Sequence, residues 1–283
     1  MQVDEIEIKL FAEAIFLRYG YDFRAYSEAS FRRRVEQVMR KLRLDTVARL
    51  QHDVLHKPEV FANVIPDLTV GTSEMFRDPC FYIALREQVL PVLKTYPTFK
   101  IWHAGCSTGE EVYSLAIMLR EEGLADKAVI YATDINQNAL KLARDGIYPI
   151  ERMRQFTTNY QQINGRATFA DYYTVAYGAA RLDPSLRSNI VFFDHNLVTD
   201  DVFSEIQLIL CRNVLIYFKR ELQARVLDLF LRSLCYKGFL GLGSKESIKF
   251  LNGHEVFEDV DGAEKIYRKI LRPEPQVVGR LLS

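Results

Sequence analysis

Apolar residues recur at three- and four-residue spacing through the first quarter of the chain, at Phe11, Ile15 and Leu17 and again at Val35, Val38, Met39 and Leu42. That is the period of amphipathic helices, and from Ile6 to about Val70 few glycines interrupt it. A small all-helical domain over residues 1–75 is expected. Within it Ser27 to Ser30 offer helix-start residues, and the helix they open runs through Phe31-Arg32-Arg33-Arg34 to Arg40, Lys41 and Arg43. It carries a dense basic face, which taken alone reads most simply as a solvated charge stripe.

Beyond Pro97 the period changes. Phe99 to Ala104, Ala128 to Ala132, Ile190 to Phe193, Ile206 to Cys211 and the glycine-rich Gly238 to Gly243 read as strands. Glu110 to Glu121, Asn138 to about Asp145 and Arg220 to Cys235 read as helices between them. Such alternation is the signature of a doubly wound parallel sheet, so residues 76–283 are expected to form a Rossmann-like α/β domain. Tyr148 to Ser188 breaks the rhythm with Tyr160, Phe169, Tyr172, Tyr173, Val175 and Tyr177. It is expected to be an inserted β-rich lobe with short helical turns. No internal repeat or low-complexity segment is visible.

Composition narrows the class. With 48% hydrophobic residues and 37 basic against 37 acidic in 283 residues, the chain has material for a packed core and lacks the net positive charge of a general nucleic-acid binder. No apolar run approaches the roughly 20 residues of a membrane span. The acidic start, Met1 to Lys9, lacks the pattern of a signal peptide, so a cytoplasmic protein is expected. Cys80, Cys106, Cys211 and Cys235 lie far apart and read as reduced thiols. His52 and His56 stand one helical turn apart, but with no adjoining carboxylate or cysteine pattern they read as a solvated helix face, and no metal is expected.

The candidate chemistry begins at the turn after the first strand, Gly105-Cys106-Ser107-Thr108-Gly109-Glu110-Glu111. Two glycines there let the backbone pass close to a ligand. Where a dinucleotide site has its third glycine, Glu110 and Glu111 would repel a diphosphate and suit a cationic ligand; S-adenosylmethionine (SAM) carries a sulfonium and an ammonium. The second strand ends in Ala132-Thr133-Asp134-Ile135, placing a carboxylate where α/β folds bind ligands. Asp134 can accept both ribose hydroxyls; it can equally cap the next helix.

Several longer motifs resemble the CheR-type chemotaxis receptor methyltransferases, which esterify glutamate side chains of chemoreceptors. They are Cys106 to Glu111, Thr133-Asp134-Ile135, Asn196-Leu197, Cys211-Arg212-Asn213-Val214-Leu215-Ile216-Tyr217-Phe218 and Gly241-Leu242-Gly243-Ser244-Lys245-Glu246-Ser247. Tyr19-Gly20-Tyr21-Asp22-Phe23 and Arg32-Arg33-Arg34 extend the likeness into the helical domain. The resemblance implies a SAM-dependent methyltransferase domain in which Glu111, Asp134, Asn196, Leu197, Cys211 and Arg212 line the cofactor pocket, with Asp134 at the ribose. The family's Thr-x-Phe-Phe-Arg stretch appears as Ser73-Glu74-Met75-Phe76-Arg77, so Ser73 and Arg77 would meet the methionine end. Gly71, Ser73, Met75 and Val112 depart from the family pattern, and Thr72 offers a displaced hydroxyl.

Methyl transfer from a sulfonium to a carboxylate is an in-line displacement, and a glutamate with a pKa near 4.3 is already ionised. No general base is needed. Positioning and exclusion of water carry the reaction, with Arg77 and Tyr217 as the catalytic candidates. Chemoreceptor cytoplasmic regions are acidic helical bundles, so by this resemblance Arg32, Arg33, Arg34 and Arg40 would dock the substrate helix. Three rivals stand beside this reading: a SAM enzyme for another substrate, a non-catalytic SAM-binding module, and, weakest, a nicotinamide-dependent oxidoreductase.

Overall fold

The computed structural model describes residues 4–69, 73–202 and 205–271. Its first part is a bundle of α1 (Glu5–Tyr19), α2 (Glu28–Leu42), α3 (Val47–His56) and α4 (Pro58–Leu68). Local signals set the ends. The Asp4 side chain accepts from the Ile6 N–H at the start of α1, Gly20 closes that helix at φ 78°, and Thr46 caps α3. Phe11, Ile15, Val35, Val38 and Met39 meet in one core, whereas Leu17 and Leu42 lie exposed although they share the helical period.

A second unit opens with α5 (Pro79–Ala84), which passes through a π-helical turn at Leu85–Val89 into α6 (Leu90–Leu93). Sequence periodicity did not disclose these helices. Pro91 cannot donate a backbone hydrogen bond, and the wider turn just before it takes up the misfit. The main sheet is built from β1 (Phe99–Ala104), β2 (Ala128–Asp134), β6 (Ile190–Asp194), β7 (Ile206–Cys211), β8 (Leu234–Leu242), β9 (Phe257–Asp261) and β10 (Ile266–Lys269). They are ordered β6-β2-β1-β7-β8-β10-β9, and β10 is antiparallel to both its neighbours. Helices α7 (Glu110–Glu121), α8 (Gln137–Asp145) and α10 (Arg220–Ser233) make the crossovers. The strand order reverses between β1 and β7, the switch point at which open α/β sheets hold ligands.

The insertion holds the expected small sheet together with a long helix where short helical turns were expected. Its largest element is α9 (Ile150–Gln162), a 13-residue helix. Only β3 (Ile147–Pro149), β4 (Tyr173–Ala176) and β5 (Ala179–Leu182) form a small antiparallel sheet. Met153, Phe156 and Tyr160 recur at helical spacing and bury one face of α9, so an aromatic that suggested strand lies on a helix. The segment before α5 belongs with the sheet: Met75 and Phe76 are fully buried in its core, while the helical core ends at Leu68. Among the described residues no helix is long and apolar enough to cross a membrane.

Candidate active site

Beyond the carboxyl ends of β1, β2, β6 and β7 lies a cavity of about 840 Å³, its open mouth included. Gly105, Ser107, Asp134, Asn196, Leu197 and Arg212 line it from the sheet, Tyr26 and Thr69 from the helical domain, and Ser73 and Arg77 from the segment between. It has the size of a small-molecule site and draws on both domains.

Asp134 organises one wall. Its Oδ2 accepts the Ser107 N–H at 2.8 Å and its Oδ1 accepts the Asn136 N–H at 2.8 Å, which ties the turn after β1 to the end of β2. Each oxygen keeps a lone pair for a ligand hydroxyl. Burial pushes the carboxyl's pKa up, opposed by those backbone donors. The helix-cap alternative falls elsewhere, because the Asn136 side chain caps α8 through the N–H groups of Asn138 and Ala139.

The glycines of the turn serve the protein's own packing. Gly105 has φ 73° and a Cβ there would stand 2.5 Å from Val214 Cγ2, while Gly109 has φ 88° and would meet Ala143 Cβ at 2.8 Å. Gly105 lines the cavity as well, whereas Gly109 does not. The two glutamates likewise differ from the simple expectation of free negative charge. Glu110 is fully buried, pairs with Arg152 of α9 and accepts the Thr108 hydroxyl at 2.6 Å, away from the cavity. Glu111 lines the cavity but is bound by Arg212, whose other Nη reaches Asp78 at 2.7 Å and whose guanidinium lies 4.1 Å over the Phe81 ring. Burial outweighs that cation and pushes the Glu111 carboxyl up. A cationic ligand thus meets a neutralised pair at Glu111.

On the opposite side the loop after β7 wraps the cavity through Asn213, Val214, Tyr217 and Phe218. Its shape comes from Glu246, a buried carboxylate that accepts from the N–H groups of Gly243 (2.6 Å), Asn213 (2.9 Å), Val214 (2.8 Å) and Ile216 (3.3 Å). Four amides converging on one acid are invisible in the sequence, where Glu246 is one member of a motif. Cys211 does not line the cavity: successive strand residues point to opposite faces, and its side chain lies in the core beneath with Trp102 and Ala104. Asn213, absent from the sequence assignment, does.

The basic helix divides. Neighbouring residues on a helix point about 100° apart, so Arg32, Arg33 and Arg34 cannot share a face. Arg34 turns inward, donates to the carbonyls of Thr69 (2.9 Å) and Asp67 (3.4 Å), and lies 5.3 Å from the Tyr217 ring centre. Arg32 pairs with Glu28 at 3.1 Å, whereas Arg33 and Arg40, two turns apart, are exposed. Of the family departures, Met75 and Val112 are buried core positions that do not line the cavity, and Ser73 does line it. Gly71 and Thr72 lie outside the described residues. Among the described residues no group of three or more His, Cys, Asp or Glu could hold a metal.

Ser107 Oγ and Asn213 Oδ1 are buried without a hydrogen-bond partner among the described residues, although both residues line the cavity. Together with the open lone pairs of Asp134 they fit a polar ligand with hydroxyls and a charged end. A doubly wound sheet with an antiparallel strand inserted near one edge, an acid ending its second strand and no third glycine defines a Rossmann-like methyltransferase. The chain belongs to the CheR methyltransferase family: the SAM-binding domain of that family matches residues 71–266 and its all-alpha domain residues 6–69. The cofactor is SAM. A Pseudomonas putida protein named as a methyltransferase, Cher3, is 54% identical over 265 residues, covering 94% of this chain and 97% of that one. Chemotaxis protein methyltransferase 2 of Pseudomonas aeruginosa is 32% identical over 76% of each chain. The chemotaxis protein methyltransferase of Listeria monocytogenes is 31% identical over 81% of this chain and 85% of its own.

Proposed function

We propose that this protein transfers a methyl group from SAM to glutamate side chains of a chemoreceptor-like protein in chemotaxis or related signalling. The observation that carries the reading is the position of the cavity at the seam between the SAM domain and the helical domain. Tyr26 and Thr69 line it together with Tyr217, whose ring Arg34 approaches, while Arg33 and Arg40 of the same helix α2 stay exposed. A small-molecule substrate has no use for an exposed cationic helix; an acidic helix does. The relatives named as chemotaxis methyltransferases support the same partner.

When bound, SAM supplies a methyl group activated on a sulfonium. Asp134 would accept the ribose hydroxyls, Ser73 and Arg77 would hold the methionine end, and Glu111, fixed by Arg212, would face its amino group. Asn196, Leu197 and Asn213 would complete the wall. Tyr217, braced by Arg34, would orient the substrate carboxylate at the mouth. That carboxylate is ionised at neutral pH, so the protein's work is alignment and exclusion of water.

The test incubates the protein with methyl-labelled SAM and a receptor cytoplasmic fragment, then measures label released by base. Base-labile methyl ester is expected, with Tyr217→Phe slowing transfer while leaving SAM binding intact. Base-stable label, or full activity in Tyr217→Phe, contradicts the glutamate ester or the tyrosine assignment respectively.

A further inference from the structure

The insertion reaches the cofactor cavity from behind. Arg152, in the first turn of α9, pairs with buried Glu110 through Nη1 and donates to the Ser73 carbonyl through Nη2, its guanidinium 4.9 Å from the Phe156 ring centre. Seven residues on, and so on the same face, Asn159 donates to the Met75 carbonyl at 2.9 Å and accepts from Gln155 at 2.8 Å. One helix therefore holds two alternate carbonyls of Ser73-Glu74-Met75, the strip that leads into Arg77. Ser73 and Arg77 line the cavity; Glu110 opens α7 beside Glu111.

We propose that Arg152 is a positioning residue for the methionine end of the cofactor, fixing the wall made by Ser73 and Arg77 through Glu110 and the Ser73 carbonyl, so that the insertion is part of the cofactor site. The inference rests on the placement of the cofactor given above. Physical chemistry gives the arginine two tasks at once. Its fork serves two acceptors in fixed geometry, which a lysine ammonium matches poorly. Without it, a fully buried Glu110 retains among the described residues the Thr108 hydroxyl alone, and a buried carboxylate short of partners draws in water or turns. Either movement frees the Ser73 carbonyl and loosens the strip.

The test measures binding of S-adenosylhomocysteine and of adenosine, which lacks the amino-acid arm, by calorimetry. The proteins are wild type, Arg152→Met, Arg152→Lys, Arg86→Met and Asp134→Ala. Arg86 pins the other end of the same insertion, donating to the Ile163 carbonyl at 2.7 Å and to Glu121 at 3.0 Å, and so controls for a merely loosened lobe. Arg152→Met should weaken S-adenosylhomocysteine about tenfold, the scale of a lost charge-assisted hydrogen bond, with Arg152→Lys losing less. Adenosine should bind both variants as it binds wild type, and Arg86→Met should change neither ligand. The proposal is overturned if folded Arg152→Met binds S-adenosylhomocysteine normally, loses both ligands equally, or behaves as Arg86→Met does. Should Arg152→Met fail to fold, Arg152→Lys decides by the same comparison of the two ligands. Asp134→Ala should weaken both ligands; if it weakens neither, the cofactor placement fails, whatever Arg152 does.

Discussion

Replacing Arg212 with methionine should destabilise the protein by about 4 kcal/mol, and replacing Glu111 with glutamine in the same molecule should restore much of it. Both side chains are buried, at 2% and 9% exposure. Methionine keeps apolar packing on the Phe81 ring but strands the Glu111 carboxylate and drops the bridge to Asp78 at 2.7 Å. Removing one partner of a buried pair costs ~3–5 kcal/mol, and the additional contacts to Asp78 and the Arg77 carbonyl place this case in the middle of that range or above. Glu111→Gln alone leaves Arg212 paired with Asp78 and should cost ~1–3 kcal/mol. Urea denaturation at neutral pH, with m unchanged across the set, supplies the values. The loss in Arg212→Met should also shrink as pH falls. A buried acid whose pKa is raised is stabilising when protonated at low pH, and that contribution is lost as pH rises through its folded pKa. A double variant no more stable than Arg212→Met would refute this reading, since the cost would then owe nothing to an abandoned charge.

His103, in β1 and 1% exposed, has its pKa driven down to about 3 by burial. Its neutral form contributes stability that is fully present above the unfolded value of about 6.5 and is lost as pH falls, at up to ~1.4 kcal/mol per pH unit. His103→Gln should flatten the pH dependence of unfolding free energy between about pH 6.5 and 4.5 by nearly one proton; an unchanged slope would mean that the imidazole is hydrated. Reversing Arg33 and Arg40 to glutamate should raise KM for an acidic receptor fragment without altering cofactor affinity, an effect that shrinks once salt screens charges beyond about 8 Å. Equal KM at low salt, with both proteins folded, would assign that face to solvation alone.

The parts of the fold that the chain discloses are those in which one period serves one buried face. The bundle α1–α4 is of this kind, its apolar positions facing a single core, whereas β1 and β7 read as strands because both of their faces are buried, one in each of the two cores that flank the sheet. The insertion misled because Tyr160, Phe169 and Tyr172 suit a strand by type, while Met153, Phe156 and Tyr160 suit a helix by spacing, and spacing prevailed. Strands β9 and β10 hid because they are short and rich in charge, β9 at the sheet's edge and β10 next to it. Within the site, Asp134 is legible since its place at the end of a strand is a local fact. The partners of Arg212 are not: Glu111 and Asp78 lie 101 and 134 residues away in the chain. Nor is Glu246, whose four amide partners follow from a loop shape that the acid itself imposes.

Helix α2 shows why charge counting alone gives only half of such a surface. Three consecutive arginines raise the charge of the helix evenly, yet helical geometry sends each in a different direction and into a different dielectric. Arg34, withdrawn between domains, exchanges water for the carbonyls of Asp67 and Thr69 and for the face of Tyr217, so its contribution is to hold the seam. Arg33 keeps its hydration and can act only at a distance, through a field that salt weakens. A run that looks like one feature therefore divides on one rigid rod: the inward arginine holds the wall of the cavity, and Arg33 and Arg40 stay exposed, where the proposed docking would need them. Because a helix does not bend over two turns, a partner docked on Arg33 and Arg40 as proposed would stand in a set register to Tyr217, and alignment at the reacting atoms would begin with that docking.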